Sequence, residues 1–192
     1  MTEQAIAPQG RARLVVTMPP SPSRIESNLA ASPAAKLLAF TDTSDAFRHL
    51  AMKAQRRLVI MSPYMDAAGC AWVLDMFRHT TAPERILVLQ SEDELRKPGV
   101  EEAELCDLAT SVRFCGGGDT DETFHSKIVL ADGSKACVGS PNFLWRSNNA
   151  NLECGLLVDG PVVSSIATLV DAVLRTLIWR DQIMGRQLQW ID

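Results

Sequence analysis

The stretch HSKIVLADGSKACVGSPN, His125–Asn142, opens with one of only three histidines in a chain of 192 residues. Its polar side chains have complementary chemistry. An imidazole can attack phosphorus or carry a proton, and a carboxylate on its far nitrogen would fix tautomer and orientation. Lysine and asparagine supply charge and hydrogen bonds to phosphate oxygens. His125 and Lys127 are two residues apart, so on a strand they share one face, whereas Ser126 and Ile128 point the other way. Val138, Ser140 and Asn142 keep one parity on the returning run, with the last two past the expected strand end. Asn151 and Glu153 are again two apart on the next run. If these segments are sheet neighbours, a histidine, a lysine, an asparagine and a carboxylate converge at one end of the sheet. No second histidine or aspartate lies close in sequence to complete a metal cage. Metal-independent phosphoryl chemistry without a cofactor is therefore the economical reading.

The elements that would position these groups follow a regular order. KIVLA and KACVG are strand-like and joined by Asp132-Gly133, a tight hairpin turn in which Asp132 can bond its own backbone. Upstream, RLVVTMPP reads as a strand stopped by prolines, and SPSRIESNLAASP as loop with a short helical turn. TSDAFRHLAMKAQ is a helix capped by its threonine or serine. RRLVIMSPY is a buried strand, DAAGCAWVLDMFRHT a helix, ERILVLQS a strand, and EDELRKPGVEEAELCDLA a helix broken near Pro98-Gly99. SVRFCGG is a further strand, and GGGDTDET a loop whose glycine triplet precedes a strand, where a hinge fits better than a phosphate cradle. LECGLLVDG is the last strand, and PVVSSIATLVDAVLRTLIWRDQI a terminal helix opened by Pro161. This alternation predicts an α/β fold with a mixed, mostly parallel β-sheet flanked by helices on both faces. Residues 1–12 read as a loose N-terminus and 13–192 as one domain.

Bulk properties narrow the classes. Hydrophobic residues make up 46% and charged residues 22%, a globular balance. No apolar run approaches the roughly 20 residues that span a bilayer, and the N-terminus lacks the layout of a secretory signal. A cytoplasmic protein without stable membrane insertion is expected. The five cysteines are scattered without metal-ligand spacing, so neither a zinc site nor a disulfide framework is favoured. Net charge is −4, which argues against coating nucleic acid through bulk positive charge but leaves room for a locally basic groove. Arg113, Lys127, Lys135 and Arg146 lie near the hairpin in sequence, and Arg175, Arg180 and Arg186 near the C-terminus. The acidic run SEDELRKPGVEEAELCD reads as a solvated helix face.

His125-x-Lys127, four residues, Asp132, six residues, then Gly139-Ser140-x-Asn142 resembles the HxKx4Dx6GSxN (HKD) signature of the phospholipase D superfamily, and Asn151-Leu152-Glu153 resembles its follow-on strand. The resemblance covers about 30 residues and implies a phospholipase D-like fold. It also implies a mechanism in which one histidine attacks the phosphodiester to form a phosphohistidine while a second motif's histidine protonates the leaving oxygen. By that resemblance His125 is the nucleophile, and Lys127 and Asn142 bind phosphoryl oxygens. Ser140 supports them, Glu153 holds the histidine, and Asp132 braces the turn. Only one motif is present, since His49 and His79 lack a lysine two residues on and read as helix-surface histidines. The resemblance to small single-motif bacterial members implies a homodimer with its active site on the two-fold axis.

The motif alone does not choose the phosphodiester. A nuclease acting on DNA or RNA is the leading reading. A phospholipase D-type lipid enzyme and a catalytically inactive nucleic-acid-binding member are the alternatives. Trp145 and Arg146, just past the motif, either stack on a base and contact phosphate or, for Trp145, pack beneath the site. The C-terminal LRTLIWRDQIMGRQLQW reads as a core-facing helix or dimer contact in preference to a membrane-touching stripe. A bacterial antiviral defence setting, with a helicase or other partner delivering substrate, completes the expectations.

Overall fold

The protein was characterised as a computed structural model, which describes residues 10–32, 42–115, 123–176 and 178–179. All described strands join one eight-stranded sheet of order β1-β7-β6-β5-β2-β3-β4-β8. The first described elements are strand β1 (Arg11–Thr17), two residues before the boundary expected at 13, and helix α1 (Arg24–Ala30). Helix α2 (Thr43–Lys53) then leads into strand β2 (Arg57–Met61), and helix α3 (Ala67–His79) into strand β3 (Glu84–Leu89). A single 3-10 turn at Glu92–Glu94 and helix α4 (Glu102–Leu108) precede strand β4 (Ser111–Phe114), which realises the break expected at Pro98-Gly99. Strands β5 (Lys127–Ala131) and β6 (Lys135–Gly139) form the hairpin. Helix α5 (Trp145–Asn149), strand β7 (Glu153–Asp159), helix α6 (Pro161–Thr176) and strand β8 (Ile178–Trp179) complete the order.

The sheet is mixed, but its pairings are mainly antiparallel rather than mostly parallel. Only β2 with β3 and β3 with β4 run parallel, while the other pairs are antiparallel. The reason is connectivity. A helical crossover, through α3 and through α4, is what returns a strand parallel to its neighbour, and the remaining neighbours are reached by hairpins or long returns. Helices do cover both faces. One core layer gathers Phe47, Leu50, Val73, Phe77 and Leu105 under α2, α3 and α4, and the other gathers Val163, Val170 and Leu174 of α6 against Ile128 and Leu130.

Several local expectations are refined. The cap of α2 is Asp42, whose carboxylate accepts the Ser44 N–H at 2.8 Å. Thr43 is buried, and its hydroxyl accepts instead from Thr17 of β1. The acidic run is not wholly solvated, for Glu94 is buried and accepts the Met65 N–H at 2.7 Å. The terminal helix ends at Thr176 rather than continuing to Ile183. Arg113, itself buried, donates to the Leu174 carbonyl, and Ile178 and Trp179 then pair with β4. A β-branched and an aromatic residue suit an edge strand better than a further helical turn. The glycine triplet and the part of the C-terminal stripe from Arg180 on, with Arg186, lie outside the described residues. Cys70, Cys137 and Cys154 are free thiols.

Candidate functional site

Strand direction decides where the chemistry collects. The C-terminal ends of β1, β2, β3 and β6 and the N-terminal ends of β5 and β7 share one edge of the sheet. That edge therefore carries His125 and Lys127 at the start of β5, Ser140 and Asn142 after β6, and Glu153 at the start of β7. The alternation of β5 predicts one face for Lys127, Val129 and Ala131. Val129 and Ala131 do lie in the α2–α3 core, with Ile128 and Leu130 in the α6 core.

Lys127 is buried, only 7% exposed, and its ammonium lies 2.8 Å from Nδ1 of His125, 3.3 Å from its Nε2 and 2.8 Å from its carbonyl oxygen. Burial pulls its pKa below the ordinary lysine value, and the nearby Glu153 charge pulls it partly back. The imidazole of His125 is exposed, with the Tyr64 ring edge-on at 6.0 Å. A buried cation thus lies beneath an exposed imidazole.

Ser140 donates to one oxygen of the buried Glu153 carboxylate, and Nδ2 of Asn151 donates to the other at 3.2 Å. The Ser140 hydroxyl also accepts the Cys154 N–H at 3.1 Å. The expected bond from Glu153 to His125 is accordingly not the one formed. Both carboxylate oxygens are engaged by Ser140 and Asn151, while His125 bonds Lys127. In this structure Glu153 orders the end of β6 and its charge acts on Lys127. The strands can come together here because Gly139 and Gly155 face each other, and a Cβ on Gly139 would lie 2.5 Å from the Gly155 Cα. Asn142 brings a buried amide oxygen that has no hydrogen-bond partner among the described residues.

Asp132 acts at the far end of the hairpin. Its φ of 54° and that of Gly133, 69°, give the left-handed turn that an Asp-Gly pair favours. Its carboxylate does not bond its own turn, as expected from sequence, but accepts the N–H groups of Gln55, Arg56 and Arg57, each at 2.8 Å. Burial opposes its ionisation, yet the three backbone bonds outweigh this and hold it below the ordinary aspartate value. It fastens the hairpin to the α2–β2 connection and is remote from His125.

Sequence reasoning passed over Asp66, Ser62 and Tyr64. Asp66 caps α3 through the Gly69 N–H, accepts the Trp145 N–H at 2.8 Å, and donates its own N–H to the Phe143 carbonyl. Ser62 accepts the Phe143 N–H at 3.3 Å. Together they clamp the segment after the GSxN run. An aspartate immediately before a helix was a legible cap signal; its second partner, 79 residues away, was not. Trp145 is 55% exposed, so the reading that packs it beneath the site is overturned, and Arg146 is also exposed. His79 is an exposed helix residue as expected, and His49 is likewise exposed on α2. Among the described residues no group of three or more His, Cys, Asp and Glu gathers.

Comparison with known proteins bears on the fold that carries these residues. The family described as "Cardiolipin synthase, PLD-like domain" matches residues 47–177. No curated protein sequence matches. The fold is similar to that of a phospholipase D family member, NUC, from Salmonella typhimurium, with 14% identity over 90% of this chain and 99% of that one and a TM-score of 0.58. It is similar to NucT from Helicobacter pylori, with 11% identity over 90% of this chain and 100% of that one and a TM-score of 0.60. Phosphatidylserine synthase from Haemophilus influenzae Rd KW20 also resembles it, with 14% identity over 89% of this chain but 40% of that one and a TM-score of 0.54. With the family match spanning well over half of the sequence and the fold following it, this chain belongs to the phospholipase D superfamily, as a PLD-like domain.

Proposed function

We propose that the protein is a metal-independent phosphodiesterase that hydrolyses DNA or RNA through a phosphohistidine intermediate. The observation that carries this reading is the exposed His125 imidazole set against the buried Lys127 ammonium. In the first step a ring nitrogen of His125 bonds to phosphorus as the P–O bond to the leaving oxygen breaks, and a general acid protonates that oxygen. In the second, water attacks phosphorus, the P–N bond breaks, and the same group takes the water's proton. Lys127 neutralises the phosphoryl oxygens, and the Asn142 amide donates to them. Ser140, Asn151 and Glu153 keep the end of β6 in place.

The acid needs a second histidine. Neither His49 nor His79 stands at this edge, so we assign the acid to His125 of a second copy across a two-fold axis. Exposed apolar side chains support such a dimer, for Leu152, just before β7, and Leu156, on the same face of β7 as Val158, are each 47% exposed. A monodisperse monomer with full activity in sedimentation experiments would contradict the shared site, as would an active, monomeric Leu156→Asp. The nucleic-acid choice is supported by Trp145, an exposed indole three residues past Asn142 with the exposed Arg146 beside it, a pair suited to base stacking and phosphate contact. No described helix is long and apolar enough to cross a membrane.

The test is incubation in EDTA with single- and double-stranded DNA, RNA and phosphatidylcholine vesicles, each paired with His125→Ala. Nucleic-acid cleavage that survives EDTA and vanishes in the variant is expected. Loss of cleavage with EDTA would refute the metal-free route, and cleavage of phosphatidylcholine alone would move the protein to the lipid class. Unaltered nucleic-acid binding without cleavage by the wild type would make it a binding module. Delivery of substrate by a helicase or other defence partner belongs to the same proposal and is tested by co-purification.

A further inference from the structure

A second cluster of cations lies on the same face of the sheet as Lys127 and Glu153, but at the opposite end of the strands. Arg11, Arg13, His49, Lys135, Leu157 and Asp159 line a cavity of about 180 Å³. Its origin is the register. Arg11 and Lys135 both pair with Asp159 from opposite sides, and Arg13 pairs with Leu157. Arg11 and Arg13 share the β1 face that buries Val15 and Thr17, and α2 brings His49 over the top with Lys53 close behind. Three permanent cations thus face one carboxylate in a chain whose net charge is −4. Asp159 is half occupied with its neighbours, since its Oδ1 accepts the Arg11 N–H at 3.0 Å and its Oδ2 lies 3.6 Å from the Lys135 ammonium. Among the described residues that line this pocket, Asp159 is the one carboxylate facing the two guanidiniums and Lys135. The imidazole of His49 reports that excess, for burial first, and then Lys135, Lys53 and Arg13, hold its pKa below the ordinary histidine value.

We infer that this pocket is a phosphate-binding subsite, remote from His125, that grips the backbone of a polynucleotide whose scissile phosphate lies at the sheet's other end. Paired guanidiniums offer planar forks that match phosphate oxygens, and a lysine adds a point charge. The cavity holds several times the roughly 30 Å³ share of one water, enough for a phosphate group. Glu153 and Asp159 bound β7, and six residue steps at about 3.4 Å separate the two sites by roughly 20 Å. Phosphates along one strand of a B-form duplex advance about 3.4 Å each, so a polynucleotide that passes outside α2, which covers the strand face between the sites, can span that distance and more. A small phosphodiester cannot. This inference rests on the nucleic-acid reading above and supplies it with a second anchor.

The test uses Arg11→Gln/Arg13→Gln/Lys135→Gln. In a His125→Ala background, where no cleavage intervenes, anisotropy of a labelled 14-base-pair duplex should show at least about a tenfold loss of affinity at low salt. The slope of log affinity against log salt should shrink by about two to three, as expected for three lost phosphate contacts. With His125 intact, the same variant should hydrolyse bis(p-nitrophenyl) phosphate as the wild type does. Asp159→Asn, which keeps an acceptor for the Arg11 N–H, should instead tighten duplex binding. Inorganic phosphate should raise the NMR-measured pKa of His49, because a bound anion favours the imidazolium over the repulsion from Lys135, Lys53 and Arg13. Unchanged duplex affinity and salt slope in the triple variant, or no tightening in Asp159→Asn, overturns the inference. Phosphate binding without any duplex effect also overturns it, in favour of a free small anion, and variant-sensitive binding to phosphatidylglycerol vesicles alone does so in favour of a lipid surface. If no diester of any kind is hydrolysed while the duplex effects stand, the catalytic reading fails and the subsite survives.

Discussion

Asp132→Asn removes a charge without disturbing the turn, because asparagine tolerates the left-handed φ of 54° nearly as well as aspartate. In the wild type Oδ1 accepts the Arg56 and Arg57 N–H groups and Oδ2 accepts that of Gln55. An asparagine keeps one acceptor oxygen and points its NH2 group at a backbone donor, so one bond is lost and two become neutral. Hydrogen bonds to a charged group contribute about 1.5–3 kcal/mol and neutral ones about 1. With the carboxylate half exposed and partly screened, the lower end applies, and the net loss is about 2 kcal/mol. For a chain of this size that lowers Tm by about 4–8 °C. The pH dependence has a definite sign. The folded pKa lies below the unfolded value of roughly 3.9, so the contribution is complete above the unfolded value and is lost as pH falls through the folded one. The gap between wild type and variant should be constant at neutral pH and close in acid. Calorimetry or thermal circular dichroism between pH 3 and 7 reads both features, at conditions chosen in roughly unit steps. A Tm within about 1 °C of wild type at neutral pH, or a gap that widens in acid, would refute the bracing role. Phosphodiesterase activity per folded molecule should be unchanged, since Asp132 touches nothing at His125.

The buried ammonium of Lys127 predicts opposite responses of stability and activity. Its folded pKa lies below the ordinary value of roughly 10.4, so the unfolded chain holds the proton longer and stability rises with pH between the two values, while phosphate binding is lost. Lys127→Met should keep or raise Tm yet lower kcat/KM at least about 100-fold, and Lys127→Arg should push the alkaline limb of the pH–rate profile upward. Gly139→Ala should be destabilised by about 3 kcal/mol or more, because its Cβ would collide with the Gly155 backbone; denaturant unfolding with an unshifted midpoint would contradict that close approach. Glu153→Gln should lower kcat/KM through misplacement of Ser140, with little change in Tm, whereas a full loss of folding would show that the carboxylate is chiefly structural.

What could be read from the order of residues was whatever depends on local covalent geometry. Strand alternation put His125 and Lys127 on one face, Asp-Gly specified the hairpin turn, and the spacing to Ser140, Asn142 and Glu153 nominated a site that the fold collects at one edge. Which partner each group takes was beyond reach, because that choice depends on strand register and chain path, which no local pattern encodes. Thus Asp132 turned from its own turn to Gln55–Arg57, and Glu153 turned from His125 to Ser140 and Asn151. The same limit explains why the sheet proved mainly antiparallel and why α6 stopped at Thr176, where pairing with β4 outcompetes a further helical turn. It also explains the basic pocket. Arg11, His49 and Lys135 are scattered through 125 positions of sequence, and only the pairing of β1, β7 and β6 beneath α2 brings their charges together.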